Sequence, residues 1–277
     1  MHPLDALDAA TIRRGLAAQG ETLAVEVRGS CESTNTVLLD RLDEEAPLLL
    51  LAEKQTAGRG RRGRRWQSAP GGALTFSMRW RFGGPAGRLR GLSLAAGVGI
   101  ACALRDLGAA GVRLKWPNDL LAPLGYPDER LSGKLGGVLI ETRSGGGGTD
   151  AVIGIGLNCA RMPGLERRLR RPVATLDALL DPLPARNAIA VRLAAELART
   201  LRRFDRGGFA AFRAEWSSMH AHPGERLKVR MGDGRSVAGT ADGVAADGAL
   251  LLRNRRGLHA VASGSVVRQS PMAGRAP

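Results

Sequence analysis

The sequence predicts an α+β protein: helices and strands share a large N-terminal unit, and a small all-β unit follows. Three observations carry this expectation. Apolar residues recur at helical spacing in some segments and alternate, or run continuously, in others. After Pro223 the texture changes to short strands separated by Gly-Asp-Gly, Asp-Gly and Arg-Gly turns. The 277 residues, 44% hydrophobic and 24% charged, suffice for one sizeable domain plus a small one. The boundary is expected near 221–224, giving units 1–222 and 223–270 and a loose tail, 271–277.

In chain order, Thr11–Gln19 predicts a short helix and Leu23–Val27 an alternating strand. Ser33 or Thr34 can cap a helix running to about Leu42, with Val37, Leu38, Leu39 and Leu42 on its apolar face. Leu48–Ala52 has the pattern of a buried strand, and Gly58–Gly72 that of a long polar loop. Leu74–Phe82 alternates strictly and predicts a strand with one charged face. Residues 92–107 predict an Ala-rich helix, and Val112–Leu121 a strand interrupted by Pro117. Leu135–Arg143 and Ala151–Asn158 form a hairpin around a Gly-rich tip. Arg186–Asp205 is amphipathic, and Phe209–His220 predicts a further helix. Short strands at 227–231, 236–244, 249–252 and 258–261 then suggest a barrel of about 50 residues.

Composition excludes several classes. The longest charge-free stretch near a candidate span, Leu92–Leu104, falls short of the roughly 20 residues a membrane helix needs. The acidic segment Met1–Asp8 lacks the apolar stretch of a signal peptide, so the cytoplasm is the expected compartment. Three scattered cysteines, Cys31, Cys102 and Cys159, argue against a disulfide scaffold or a Cys-rich zinc site. The net charge of +15 is uneven: residues 1–57 hold five basic and ten acidic side chains, residues 58–90 nine arginines and no acid. Such a stripe suits nucleic acid, the phosphates of a small ligand or an acidic protein. Only four basic residues are lysines: Lys54, Lys115, Lys134 and Lys228.

Five local patterns carry chemistry. Gly58-Arg59-Gly60-Arg61-Arg62-Gly63-Arg64-Arg65-Trp66 combines glycines that let backbone N–H groups approach a ligand with guanidinium forks for carboxylate or phosphate. Such a loop is expected to be mobile until an anion fills it; an RGG-type nucleic-acid segment is the other reading. Lys115-Trp-Pro-Asn118-Asp119 ends a strand with a point charge and two oxygen-bearing side chains, where Mg²⁺ could be met, although Pro-Asn-Asp is also ordinary turn chemistry. Gly133-Lys134-Leu-Gly-Gly sets a lysine before two glycines, and Gly154-Ile-Gly-Leu-Asn158 ends an apolar strand on an amide. In Glu32-Ser33-Thr34-Asn35, a helix N-cap explains one polar side chain and leaves two.

In this order, and with Gln55 preceding the arginine loop, these motifs resemble the biotin protein ligases (biotin–[acetyl-CoA-carboxylase] ligases) over about residues 10–270. The resemblance implies a mixed sheet backed by helices, followed by an SH3-like barrel. It implies that biotin and ATP, with Mg²⁺, give biotinyl-5′-AMP and pyrophosphate, and that a lysine of the biotin carboxyl carrier protein then displaces AMP. It assigns Ser33, Thr34, Asn35 and Gln55 to biotin, the polar ones facing the ureido ring. Arg59, Gly60 and Arg61 fall in the loop over biotin and the adenylate, with Arg61 counted as catalytic. Lys134 falls near the biotin carboxyl and the phosphate, and Lys115 at the reacting centre. Trp66 meets the adenine; Asn118 and Asn158 fall on the nucleotide side, and Asp119 is the candidate metal ligand.

With 32 residues before Ser33, the resemblance is to the monofunctional form, and no sequence-specific nucleic acid is expected as a partner. A monomer or homodimer without membrane attachment is expected. The segment 122–132 is longer than the tight turn expected there. A lipoate–protein ligase, which shares the fold and the adenylation logic, is the nearest alternative, although Ser-Thr-Asn-Gln suits a ureido ring better than a dithiolane. A basic nucleic-acid-binding module is the alternative from another class. The short C-terminal strands, with polar turns and no acid cluster, do not look catalytic. Truncation after about His222 is therefore expected to impair carrier modification more than adenylate formation.

Overall fold

In a computed structural model, the structure describes residues 6–44, 47–67, 70–124, 132–162, 164–169 and 172–268. The tail 271–277 and most of the long segment 122–132 lie outside the described residues.

Helix α1 (Ala9–Ala18), capped by the Asp8 carboxylate accepting from the Thr11 N–H, leads into strand β1 (Ala24–Cys31). Helix α2 (Thr34–Leu39) ends earlier than expected, and β2 (Leu48–Gln55) and β3 (Ala73–Gly83) follow. After α3 (Leu92–Asp106), Pro117 falls in the turn of a tight hairpin, β4 (Arg113–Lys115) and β5 (Asp119–Pro123). A long hairpin, β6 (Ser132–Gly145) and β7 (Gly148–Asn158), completes the large sheet. Then come α4 (Leu165–Leu169), the long α5 (Arg186–Gly207) and α6 (Arg213–Ser218), the last preceded by a 3₁₀ turn at Phe209–Phe212.

The large sheet runs β1-β2-β3-β7-β6-β5-β4; β1 and β2 are parallel and every other pair is antiparallel. One face carries the main core. Leu49, Leu51, Leu74, Phe76, Met78, Ile153 and Ile155 meet the apolar faces of α1, α3 and α5 there. Each fully buried Leu of α5, such as Leu193, Leu197 and Leu201, contributes about 2 kcal/mol of apolar burial.

The opposite face is only half covered. Helix α2 sets Leu38 against Leu48, Leu50 and Val152, and there it stops. The charged face expected on β3 is this one, with Arg79 and Arg81. Thr75, Ser77 and Arg79 alternate as expected, yet all three are buried. Arg79 is tied to the carbonyls of Arg41 and Glu44 behind α2. Beyond α2, the residues in register on this face are Ser77, Gly154 and Leu139 in one row and Thr75, Gly156 and Gly137 in the next. Missing side chains at the glycines leave a hollow in the sheet.

The C-terminal strands are five, one more than expected: β8 (Arg226–Arg230), β9 (Ser236–Val244), β10 (Leu250–Asn254), β11 (Gly257–Val261) and β12 (Ser265–Arg268). They form an antiparallel sheet in the order β11-β10-β9-β8-β12. Its apolar residues, among them Leu227, Val229 and Leu250, join the core of the large sheet.

Candidate active site

A cavity of about 190 Å³ opens on the half-covered face. The α2 N-terminus, the arginine loop, the β4–β5 turn and the glycines of β6 and β7 bound it. Ser33, Thr34, Asn35, Gln55, Arg59, Gly60, Arg61, Trp66, Lys115, Asn118, Asp119 and Lys134 all line it. Asn158 instead lines a small adjoining chamber with Trp66 and Lys134.

The polar end is built by α2. Ser33 occupies the N-cap position but makes no side-chain capping bond, so capping leaves its hydroxyl uncommitted. The Thr34 N–H donates to Gln55 Oε1 at 2.8 Å. Ser77 Oγ lies 2.6 Å from both Thr34 Oγ1 and Asn35 Oδ1. Asn35 Nδ2 donates to Glu141 Oε2 at 2.9 Å and, at 3.4 Å, to the Leu139 carbonyl. Ser33, Thr34, Asn35 and Ser77 are all buried. A Cβ on Gly154 would collide with the Asn35 amide, so only glycine lets Asn35 lie on the sheet.

The cationic end meets the β4–β5 turn. Lys134 pairs with Asp119 across β5 and β6, and its Nζ lies 5.9 Å from the centroid of the Trp66 ring. The Trp66 ring rests on Gly156, where a Cβ would strike it; its indole N–H is buried without an acceptor. Asn118 is tied to β6 by two bonds: its side-chain Nδ2 donates to the Val138 carbonyl at 2.7 Å, and the Val138 N–H donates to the Asn118 backbone carbonyl at 2.9 Å. The Asn158 amide N–H₂ likewise spans the Lys134 and Ala174 carbonyls, at 3.0 and 3.2 Å, leaving its oxygen as the group for a ligand.

The arginine loop carries backbone hydrogen bonds of its own. The Gly60 N–H donates to the Arg64 carbonyl at 2.7 Å and the Trp66 N–H to the Gly58 carbonyl at 2.9 Å, so the loop is a small hairpin. At its tip Arg62 takes φ of 58°, in the left-handed region that non-glycine residues rarely adopt. Its guanidinium donates to the Arg230 carbonyl and Ser265 Oγ of the C-terminal sheet, at 3.2 and 3.1 Å. Arg59 leans the other way, onto Glu141 at 2.6 Å. Arg61 is half-buried at the cavity. Burial and then the charge of Arg62 push it below its ordinary value, with Asp119 opposing. A guanidinium stays protonated through such a shift.

Sequence reasoning missed three contributors. Gly264–Val267 of the C-terminal sheet line the cavity. Ser77 and Glu141 were missed as the partners of Thr34 and Asn35; the one available signal was a serine among apolar residues on an alternating strand. Among the described residues, no group of three or more His, Cys, Asp or Glu could hold a metal, and Asp119 is the one carboxylate lining the cavity.

Comparison with known proteins places this geometry. The chain is 39% identical over 232 residues to the bifunctional ligase/repressor BirA of Escherichia coli, covering 83% of this chain and 69% of that protein. It is 33% identical over 250 residues to the biotin–[acetyl-CoA-carboxylase] ligase of Mycobacterium tuberculosis, covering 88% of each. The biotin protein ligase of Aquifex aeolicus solved with biotin and ATP shares the fold at a TM-score of 0.74, with 24% identity over 89% of this chain and 99% of that one. Residues 28–158 match the biotin/lipoate A/B protein ligase family and residues 222–268 the biotin protein ligase C-terminal domain. The chain therefore belongs to the biotin protein ligase family.

Proposed function

We propose that the protein is a biotin–[acetyl-CoA-carboxylase] ligase that makes biotinyl-5′-AMP from biotin and ATP and transfers the biotinyl group to a lysine of the biotin carboxyl carrier protein. The observation that carries this reading is the meeting of the buried polar set Ser33, Thr34, Asn35 and Gln55 with three cations, Arg61, Lys115 and Lys134, in one cavity. In the first step a biotin carboxylate oxygen bonds to the α-phosphorus of ATP and pyrophosphate leaves. Two anions must approach despite their repulsion, which calls for preorganised positive charge. In the second step the carrier amine bonds to the acyl carbon, loses a proton and expels AMP. Both steps need positioning rather than a protein nucleophile. The buried Cys159, whose thiol burial pushes up to about 12, has no part in them.

Within this reading Lys134 serves the biotin carboxyl and the α-phosphate, Lys115 the reacting phosphate, and Arg61 the closed loop over both. Trp66 offers a face to the adenine, and the Asn158 oxygen an acceptor for an amine. The Nδ2 bond to Val138 orients the Asn118 side chain and leaves its Oδ1 for a nucleotide contact. Mg²⁺ belongs with the nucleotide substrate: the Asp119 carboxylate, which also holds Lys134, would supply one oxygen ligand beside phosphate oxygens, a donor type that suits this ion. Bound there, it would neutralise phosphate charge.

Arg59, Arg61, Arg62, Arg64 and Arg65 line the cavity, which supports a small phosphate ligand there. No helix among the described residues is long and apolar enough to cross a membrane. We place the enzyme in the cytoplasm, with its ATP and carrier, as a monomer or homodimer. The test is one assay: purified protein, MgATP, a carrier domain, and either biotin or lipoate. Carrier labelling read by streptavidin supports biotin; attachment of lipoate alone would move the function to the sister activity.

A further inference from the structure

Two side chains outside the cavity lining govern a third inside it. We infer that Ser77 and Glu141 fix the direction of the Thr34 hydroxyl and so make Thr34 an obligate hydrogen-bond acceptor toward the bound ring. This rests on biotin being the ligand of the cavity.

The argument is a proton count. Two acceptors, the Glu141 carboxylate and the Leu139 carbonyl, face one end of the Asn35 amide, so that end is the N–H₂. The other end, Oδ1, can only accept, and Ser77 Oγ lies 2.6 Å from it, so Ser77 donates there. Ser77 has one proton. Its second 2.6 Å contact, with Thr34 Oγ1, is then made by the Thr34 proton. The Gln55 Oε1 contact, longer at 3.3 Å, is already served by the Thr34 N–H at 2.8 Å. With its proton turned into the sheet, Thr34 presents lone pairs to the cavity. A ring N–H fits this oxygen; a ring oxygen at the same place meets acceptor against acceptor. Leaving a buried polar group unpaired is the costly case, so the arrangement discriminates between the two ligands.

Glu141 is the switch in this chain. Its second oxygen accepts from Arg59 at 2.6 Å. In Glu141→Gln, a side chain of nearly the same shape, the amide oxygen keeps Arg59 and the amide N–H₂ turns to Asn35; the reverse would set a donor against the guanidinium. Asn35 then flips, held back only by the 3.4 Å bond to Leu139. Its N–H₂ donates to Ser77, Ser77 donates to Thr34, and the Thr34 proton is released into the cavity. Ser77→Ala frees the same proton by removing its acceptor.

The experiment is calorimetric titration of the purified full chain with biotin and with its two cyclic carbamate analogues, each carrying a ring oxygen in place of one ureido N–H. The wild-type protein is expected to bind one carbamate at least about 100-fold more weakly than biotin. In Glu141→Gln that ratio contracts at least tenfold, and the carbamate gains in absolute affinity. Ser77→Ala contracts the ratio as well. Ser77 is fully buried; should Ser77→Ala fail to fold, Glu141→Gln at a partly exposed position decides alone. Parallel weakening of all three ligands would mean that these residues are merely structural and would overturn the inference. So would a wild-type protein that binds biotin and both carbamates equally. A wild-type protein that binds no biotin would instead sink the biotin reading, and this inference with it.

Discussion

Lys134 is a charge placed by its neighbours. Its ammonium folds back over Gly137, where a Cβ would come within 3.0 Å of Nζ, and pairs with Asp119 beside the Trp66 ring. A single cation beside a carboxylate that becomes an anhydride acts more on the transition state than on the ground state. Lys134→Ala is therefore expected to slow adenylate formation by roughly two to three orders of magnitude, the scale of losing one preorganised donor. Pyrophosphate release measured without carrier checks it, and a loss under fivefold would move the role to Lys115. This lysine was legible in the sequence because few lysines occur and this one stands before paired glycines. The partners of Asn35 were not. Ser77 and Glu141 lie 42 and 106 residues away along the chain, and only the register of β3, β7 and β6 brings them to one amide.

Strands and helices were legible because periodicity is a local property. What covers each face of a strand is not local: alternation gives β3 a charged face, and only the fold shows Ser77 and Arg79 on it to be buried. The arginine loop teaches the same lesson. In an extended segment Arg59 and Arg61 would share one side, with Arg62 opposite. The tip is instead a turn, which sends Arg59 to Glu141, Arg62 to the C-terminal sheet and Arg61 to the cavity. Glycines make such a loop costly to order, so contacts at its base and tip must hold it. Arg61 lines the cavity without a carboxylate partner among the described residues. Arg61→Gly is expected to form biotinyl-AMP but release it, so that serum albumin becomes biotinylated with no carrier present. If labelling stays carrier-dependent while ATP and biotin are consumed, Arg61 only positions substrate.

At the scale of the whole molecule the two sheets are one body around a shared core, and this revises the expected effect of truncation. The Trp116 indole donates to the Gly248 carbonyl at 3.0 Å, Arg213 Nε to the Val244 carbonyl at 2.8 Å, and β12 walls the cavity. Deleting residues after 222 is now expected to abolish adenylate formation together with transfer; adenylation surviving at the wild-type rate would restore the earlier expectation. The seam between the sheets also carries a pH dependence. His220 bridges to Leu114 of β4 and stacks on Trp216 at 4.6 Å. Burial first, then the neighbouring His222, pushes its imidazole down from 6.5 to about 4, while Glu225 opposes. The sign follows from linkage. Between pH 6.5 and about 4 the unfolded chain binds a proton at this site that the folded chain refuses, so stability falls as pH falls through that window and levels off below it. At 1.36 kcal/mol per pKa unit, the full effect is on the order of 3 kcal/mol. His220→Phe keeps an aromatic ring against Trp216 and removes the titration. Denaturant unfolding of both proteins at pH 7.5, 6 and 4.5 should show the wild type losing stability relative to His220→Phe only below about pH 6.5. A constant difference across the three pH values would mean that His220 binds its proton equally readily in the folded and unfolded chain, so that the seam carries no such pH dependence.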